Sequence, residues 1–151
     1  MKNIIIDLDG TIANNDHRQY FLTEKNQKDW HRFFEACSGD EPKTKVIDFV
    51  KALCGENTGS TKFNVHILSG RSEVVRNKTI NWLALHFPIT HTLSMRKIND
   101  YRKDSIVKSE MAKQLNLDPS NTLCVIDDRK SVVDMWRAEG FLCLQVEDHD
   151  F

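Results

Sequence analysis

Apolar residues recur along the chain in two rhythms. Ile4-Ile5-Ile6 is a short β-branched run of the kind that fills a strand buried on both faces. Similar runs at residues 63–68, 89–95, 122–126 and 141–146 read as four further strands. Between them the spacing turns helical. Val75, Trp82 and Leu83 mark a helix from Ser72, its cap, to about His86, with Pro88 as its stop. Val107, Met111 and Leu115 mark a second, capped by Asp104 and ended at Asp118-Pro119. Val132, Val133 and Trp136 mark a third, stopped by Gly140. Strand and helix alternate, so the expected fold class is α/β, a parallel sheet covered by helices on both faces.

Residues 12–62 interrupt that alternation after the first strand. Trp30, Phe33, Phe34 and Cys37 predict an amphipathic helix over 27–38. Core packing is the first role for these aromatics, and base stacking by Trp30 the second. Pro42 is placed like a first-turn residue of another helix, with Val46, Ile47, Val50 and Leu53 on its apolar face and Gly55 at its end. Residues 55–61 read as a loop, without the Gly-Lys-Ser/Thr of a nucleotide-binding P-loop. The expected organisation is one domain over 1–151, with a core of 1–11 and 63–151 and a small helical cap insertion at about 12–62.

Composition narrows the setting. The 151 residues are 40% hydrophobic and 28% charged, with a net charge of −1. That balance is globular, and no overall field draws the protein to nucleic acid or membrane, so an anion site must be built locally. The first apolar stretch is too short for a signal peptide and no run spans a bilayer, so the expected location is cytoplasmic (of the host cell if phage-encoded). Cys37, Cys54, Cys124 and Cys143 form no C-x-x-C pair and read as reduced, buried thiols. The six histidines are scattered; His17 lies nearest the acids that follow the first strand.

Those acids are Asp7 and Asp9, at the end of the first apolar run. Two apart on a strand, they share a face. Gly10 permits a sharp turn and Thr11 adds a hydroxyl beside them. Two ionised carboxylates so close call for a divalent cation, which can dock a phosphate while one carboxylate attacks phosphorus. In parallel sheets ligands bind beyond the carboxyl ends of the strands. There the later strands place Ser69-Gly70-Arg71, Arg96 and Asp127-Asp128-Arg129, with Lys108 early on a helix entering from the same side. Acids for a metal, a hydroxyl and cations are the inventory that phosphoryl transfer from a monoester needs.

Asp7-Leu8-Asp9-Gly10-Thr11, Ser69-Gly70-Arg71, Lys108 and Asp127-Asp128 resemble the four motifs of haloacid dehalogenase (HAD) phosphatases. The resemblance implies a Rossmann-like core and a Mg²⁺ cofactor held by Asp7, Asp9, Asp127 and Asp128. Asp128 is favoured as direct ligand and Asp127 as its supporting neighbour. It also implies Asp7 as nucleophile, Asp9 as general acid and then base, Ser69 as a phosphate contact, and Lys108 as the charge balancing a phospho-aspartate. Thr11 and Gly70 belong to the same substrate-facing motifs.

A narrower similarity involves Arg18, Arg71, Arg96, Asp104, the stretch from Asp127-Asp128-Arg129 to Trp136-Arg137, and Cys143-Leu144-Gln145-Val146. These resemble the 3′-phosphatase half of bacteriophage-type polynucleotide kinase–phosphatase. That implies removal of 3′-phosphates from RNA or DNA ends, without kinase activity and with a separate kinase or ligase as candidate partner in end repair. Arg18, Arg71, Arg96, Asp104 and Arg129 would seat the phosphate and terminal nucleotide. Arg18, Arg71, Arg96, Arg102, Lys103 and Arg129 would crowd one rim and hold neighbouring phosphates; the alternative for such a rim is a salt-bridged surface. The alternative enzyme is a HAD phosphatase for free nucleotides. Two non-enzymatic readings are a receiver-like signalling module, against which Asp9 argues, and a nucleic-acid end-binding module without turnover.

Overall fold

The computed structural model describes residues 1–23, 28–55 and 62–150. Five strands form the main sheet: β1 (Asn3–Ile6), β4 (Asn64–Ser72), β5 (His91–Arg96), β6 (Thr122–Arg129) and β7 (Cys143–His149). Their order is β5-β4-β1-β6-β7, and every neighbouring pair is parallel. A two-residue antiparallel ladder joins β2 (Ala13–Asn14) to β3 (Glu41–Pro42). The helices are α1 (Tyr20–Thr23), α2 (Trp30–Glu35), α3 (Thr44–Cys54), α4 (Arg76–His86), α5 (Asp104–Gln114) and α6 (Lys130–Ala138).

β1 is central because its three isoleucines serve both faces. Ile4 and Ile6 pack with Ile47 and Val50 of α3 and Trp82 and Leu83 of α4. Ile5 points the other way, into Val107 and Met111 of α5 and Val132, Val133 and Trp136 of α6. Each isoleucine is fully buried, worth about 1.5–3 kcal/mol of transfer free energy apiece. The sheet therefore has two helices on each face, as the alternation predicts. From β1 the chain builds β4 and β5 on one side, then β6 and β7 on the other. The crevice beyond the carboxyl ends of β1, β4 and β6 is the place where such a sheet takes a ligand.

The structure moves several expected boundaries. β4 and β6 run through Ser69-Gly70-Arg71 and Asp127-Asp128-Arg129 rather than stopping before them. Pairing is irregular at both places: the register shifts between Ser69 and Ser72 against β5, and between Asp127 and Arg129 against β7. Such bulges re-aim side chains while the strand continues. Ser72 does cap, but it caps a 3-10 turn (Glu73–Val75) leading into α4. Asp104 is the first residue of α5, not its cap; its carboxylate accepts from Arg96 instead. Leu115 lies past the end of α5 and is more than a third exposed. Pro42 sits in the β2–β3 ladder, two residues before α3.

In the insertion, the expected long helix is shorter. α2 holds six residues, capped by the Asp29 side chain, and a 3-10 turn (Ala36–Gly39) follows. Phe33 and Cys37 are buried, whereas Trp30 is 48% exposed. α3 covers one face of the sheet, and Gly55 closes it in the left-handed conformation. The expected start at Gln27 and the loop after Gly55 lie outside the described residues. All four cysteines are free and buried.

Candidate active site

The strand ends bring Asp7, Asp127 and Asp128 together. One carboxylate oxygen from each lies within 4.8 Å of the others, and all three residues are at most 5% exposed. Lys108, 2% exposed, reaches in from α5 and donates to Asp7 Oδ1 at 2.5 Å and to Asp127 Oδ2 at 3.1 Å. Thr11 Oγ1 lies 2.8 Å from Asp7 Oδ2 and 3.1 Å from Asp128 Oδ1. One hydroxyl proton thus stands between two carboxylates. Asp127 is fixed further by the Asp128 backbone N–H, at 2.9 Å, and Trp136 Nε1, at 3.3 Å.

This cluster carries more negative charge than Lys108 can balance. Burial pushes the Asp7 carboxyl well above its usual range, Asp127 and Asp128 push it further, and Lys108 only partly opposes them. Burial raises Asp127 as well, again against Lys108. Burial would lower the Lys108 ammonium, but Asp127 and Asp7 outweigh it and raise the value. A close set of buried carboxylate oxygens with surplus negative charge fits a hard divalent cation such as Mg²⁺.

Asp9 stands outside that group. Its carboxylate is held by Arg71, through Nε at 3.0 Å and Nη2 at 2.7 Å, and by Arg18 Nη2 at 2.7 Å. Burial alone would raise Asp9, but the two guanidiniums outweigh it and hold its carboxyl below the ordinary value. Arg18 and Arg71 are fully buried. Their second counterion is Asp40, which accepts from Arg18 Nε at 2.8 Å, Arg18 Nη2 at 2.7 Å and Arg71 Nη2 at 2.8 Å. His17 Nε2 is 2.7 Å from the same carboxylate. Arg18 also donates to the Phe33 carbonyl and lies 4.4 Å over the Phe33 ring. Arg71 donates to Thr79 Oγ1.

A third group lies at the ends of β4 and β5. Arg96 donates to the carbonyls of Gly70 and Arg102 and to Asp104 Oδ1, and Arg129 approaches Asp104 Oδ2 at 3.6 Å. Gly70 is required there, since a Cβ would fall 2.0 Å from an Asp104 carboxylate oxygen. Ser69 Oγ accepts the Arg71 backbone N–H at 3.1 Å, and Ser69 is buried.

The expected basic rim is not what these residues build. Arg18 and Arg71 are buried against acids, Arg96 is paired with Asp104, and Arg102 is paired with Asp100 and Glu110. The salt-bridged alternative describes Arg96 and Arg102, while Lys103 is exposed. Sequence reasoning also missed two residues. Asp40 sits in an unremarkable Gly39-Asp40-Glu41 stretch, and nothing local marks it as a partner for arginines 22 and 31 positions away. His149 Nδ1 lies 2.5 Å from Asp128 Oδ2, a contact that only the pairing of β6 with β7 creates.

The sequence model of the polynucleotide kinase PNKP phosphatase domain, of HAD type, matches residues 1–151. The chain belongs to this family. It is a HAD-type phosphatase, and Mg²⁺ is its cofactor, in keeping with the oxygen cluster above. The structure of a Pnkp1/Rnl/Hen1 complex contains a chain 33% identical, with a TM-score of 0.75, matched over 99% of this chain and 47% of the other. A second structure, of the Pnkp1/Rnl/Hen1 RNA repair complex, gives 32% identity and a TM-score of 0.77 over 99% and 43%. A protein of Autographa californica nuclear polyhedrosis virus, named "Putative bifunctional polynucleotide kinase/RNA ligase", is 30% identical over 135 residues, 89% of this chain and 17% of that protein. The chain thus spans less than half the length of these relatives. Among the described residues, no helix is long and apolar enough to cross a membrane.

Proposed function

We propose that this domain removes the 3′-phosphate from polynucleotide ends through an aspartyl-phosphate at Asp7. The observation that carries the reading is the placement of Asp7, buried at the end of β1 between Lys108 and Thr11, with Asp9 clamped by arginines beside it. An Asp7 carboxylate oxygen attacks phosphorus and the bond to the 3′-oxygen breaks. Asp9 protonates the departing alkoxide. Water then attacks the phosphorus of the acyl phosphate, Asp9 takes its proton, the bond to Asp7 breaks, and inorganic phosphate leaves. When bound among Asp7, Asp127 and Asp128, Mg²⁺ supplies the positive charge that lets an anionic nucleophile approach an anionic ester. Lys108 holds Asp7 and faces the charge left on it.

The arginine pair serves Asp9 in both halves of this sequence. As found, Arg18 and Arg71 keep it an anion, the form that accepts a proton from water. For it to donate, the incoming phosphate must take over those guanidiniums, which relaxes the clamp and allows Asp9 to carry a proton. Thr11 and Ser69 border the same space. In this reading the Gly70–Arg96–Asp104–Arg129 group shapes the wall next to the sugar. Substrate choice falls to residues 13–42, because α3 belongs to the sheet.

Support for a polynucleotide substrate comes from the relatives, one named for a kinase and RNA ligase and one solved in an RNA repair complex. The same likeness supports a separate kinase or ligase as candidate partner in end repair. The four free cysteines suit a reducing, cytosolic setting. One observation favours the nucleotidase alternative: among the described residues, Arg18 and Arg71 are buried and Arg96 and Arg102 are paired with acids, so these four offer no basic track to a polymer. Rates on a 3′-phosphorylated oligonucleotide, a nucleoside 3′-monophosphate and a nucleoside 5′-monophosphate, each with Mg²⁺, decide between them. The oligonucleotide is expected to be turned over fastest; equal rates on all three would reject the polymer reading.

A further inference from the structure

The inference that follows rests on the proposed role of Asp128 as a metal ligand. We propose that His149, the last residue of β7, is a positioning residue that holds the Asp128 carboxylate in the orientation Mg²⁺ needs.

Both oxygens of Asp128 have a donor. Thr11 Oγ1 lies 3.1 Å from Oδ1 and His149 Nδ1 lies 2.5 Å from Oδ2. The two approach opposite ends of the carboxylate, so together they oppose its rotation. The backbone beneath is held by the same strand, through Gln145 Nε2 on the Asp128 carbonyl at 3.1 Å. The register shifts between Asp127 and Arg129, where β7 carries the extra residues from Gln145 to His149; this sets His149 opposite Arg129 and brings the imidazole beside Asp128. The His149 side chain is 29% exposed and that of Asp128 is 2% exposed, so the ring lies on the solvent side of the acid.

The loop on the other side leaves room for this pair. Gly10 has φ +83°, and a Cβ there would fall 2.1 Å from Asp128 Oδ2, the oxygen facing His149. His149 is itself steadied from behind. Its Nε2 is 3.8 Å from Glu147 Oε2, Glu147 pairs with Lys43 at 2.6 Å, and Lys43 Nζ donates to the Gly10 carbonyl at 2.9 Å. The chain of contacts therefore closes from Gly10 through Lys43, Glu147 and His149 back to Asp128. Among the described residues, the close group of candidate ligand atoms contains the three acids and not the imidazole. Groups that orient a ligating side chain set metal affinity by about 10–100-fold.

The test is Mg²⁺ binding to the protein without substrate, by isothermal titration calorimetry. Wild type, Asp128→Asn, His149→Ala, His149→Phe and His149→Asn are compared, with melting temperatures in EDTA recorded alongside. An asparagine amide can place its N–H near the Nδ1 position; phenylalanine keeps the ring but has no donor. His149→Ala and His149→Phe are expected to weaken Mg²⁺ binding by about 10–100-fold, with little change of melting temperature in EDTA, while His149→Asn stays near wild type. Unchanged affinity in the alanine and phenylalanine variants would overturn the proposal. So would an asparagine variant as weak as the alanine one, because the ring would then be acting as a ligand. Unchanged binding in Asp128→Asn identifies a different failure, that of Asp128 as ligand, and removes the proposal with it.

Discussion

Replacing Asp40 by asparagine tests whether the buried arginine pair is held as the structure shows. Asp40 is 3% exposed and faces two fully buried guanidiniums and His17. The amide is nearly isosteric, so packing is kept, as is the Trp82 Nε1 bond to the Asp40 carbonyl. What is lost is one of the two negative charges facing Arg18 and Arg71, leaving Asp9 as their remaining counterion. Removing one partner of a buried ion pair costs about 3–5 kcal/mol, because the surviving charge stays desolvated. For a chain of this size that corresponds to a fall in melting temperature of about 6–20 °C. Urea unfolding of wild type and Asp40→Asn in EDTA measures the free energy, and calorimetry the midpoint. Asp40→Ala is expected to be worse, since it adds a cavity. A loss below about 1 kcal/mol, the scale of an exposed pair, would refute the argument. It would mean that water reaches the guanidiniums and that they need no second acid.

Other outcomes follow from the same geometry. Asp7→Asn should lose turnover by several orders of magnitude, yet unfold at higher urea than wild type in EDTA, because it removes a charge that its neighbours repel. Asp9→Asn should slow both half-reactions and accumulate phospho-enzyme, visible by mass spectrometry as an added phosphoryl group on Asp7. The raised Asp7 and Asp127 values set a sign for pH dependence. Between the ordinary carboxylate value of about 4 and their raised values, the folded state binds more protons than the unfolded one. Across that window the two acids should add stability to the metal-free protein as pH falls, opposed by His66, whose imidazole is pushed down by burial, and Mg²⁺ should remove the contribution of the acids; urea midpoints across the window, with and without Mg²⁺, check it. Gly10→Ala combines a positive φ with a Cβ 2.1 Å from the Asp128 carboxylate, so it should lose most activity and about 1–3 kcal/mol of stability.

The layers and most of the chemistry are legible in local patterns along the chain. Short apolar runs and helical spacings are local properties, so the strands and helices can be read from them. The residues after each strand were legible because a parallel sheet places all its carboxyl ends on one side. Ile5, for instance, had to face away from Ile4 and Ile6 whatever covered it. How the charges at that edge pair off is settled by folding. Arg18 and Arg71 looked like surface cations, yet they are buried because Asp40, brought across the sheet edge by the insertion, offsets their desolvation. Asp9 looked like a fourth metal acid, yet its carboxylate turns to those arginines. Asp128 gained His149 through a strand bulge that no run of residues announces. Partners distant in sequence and bulges of one or two residues leave no periodic trace, since both are settled by which segments lie side by side once the core has closed.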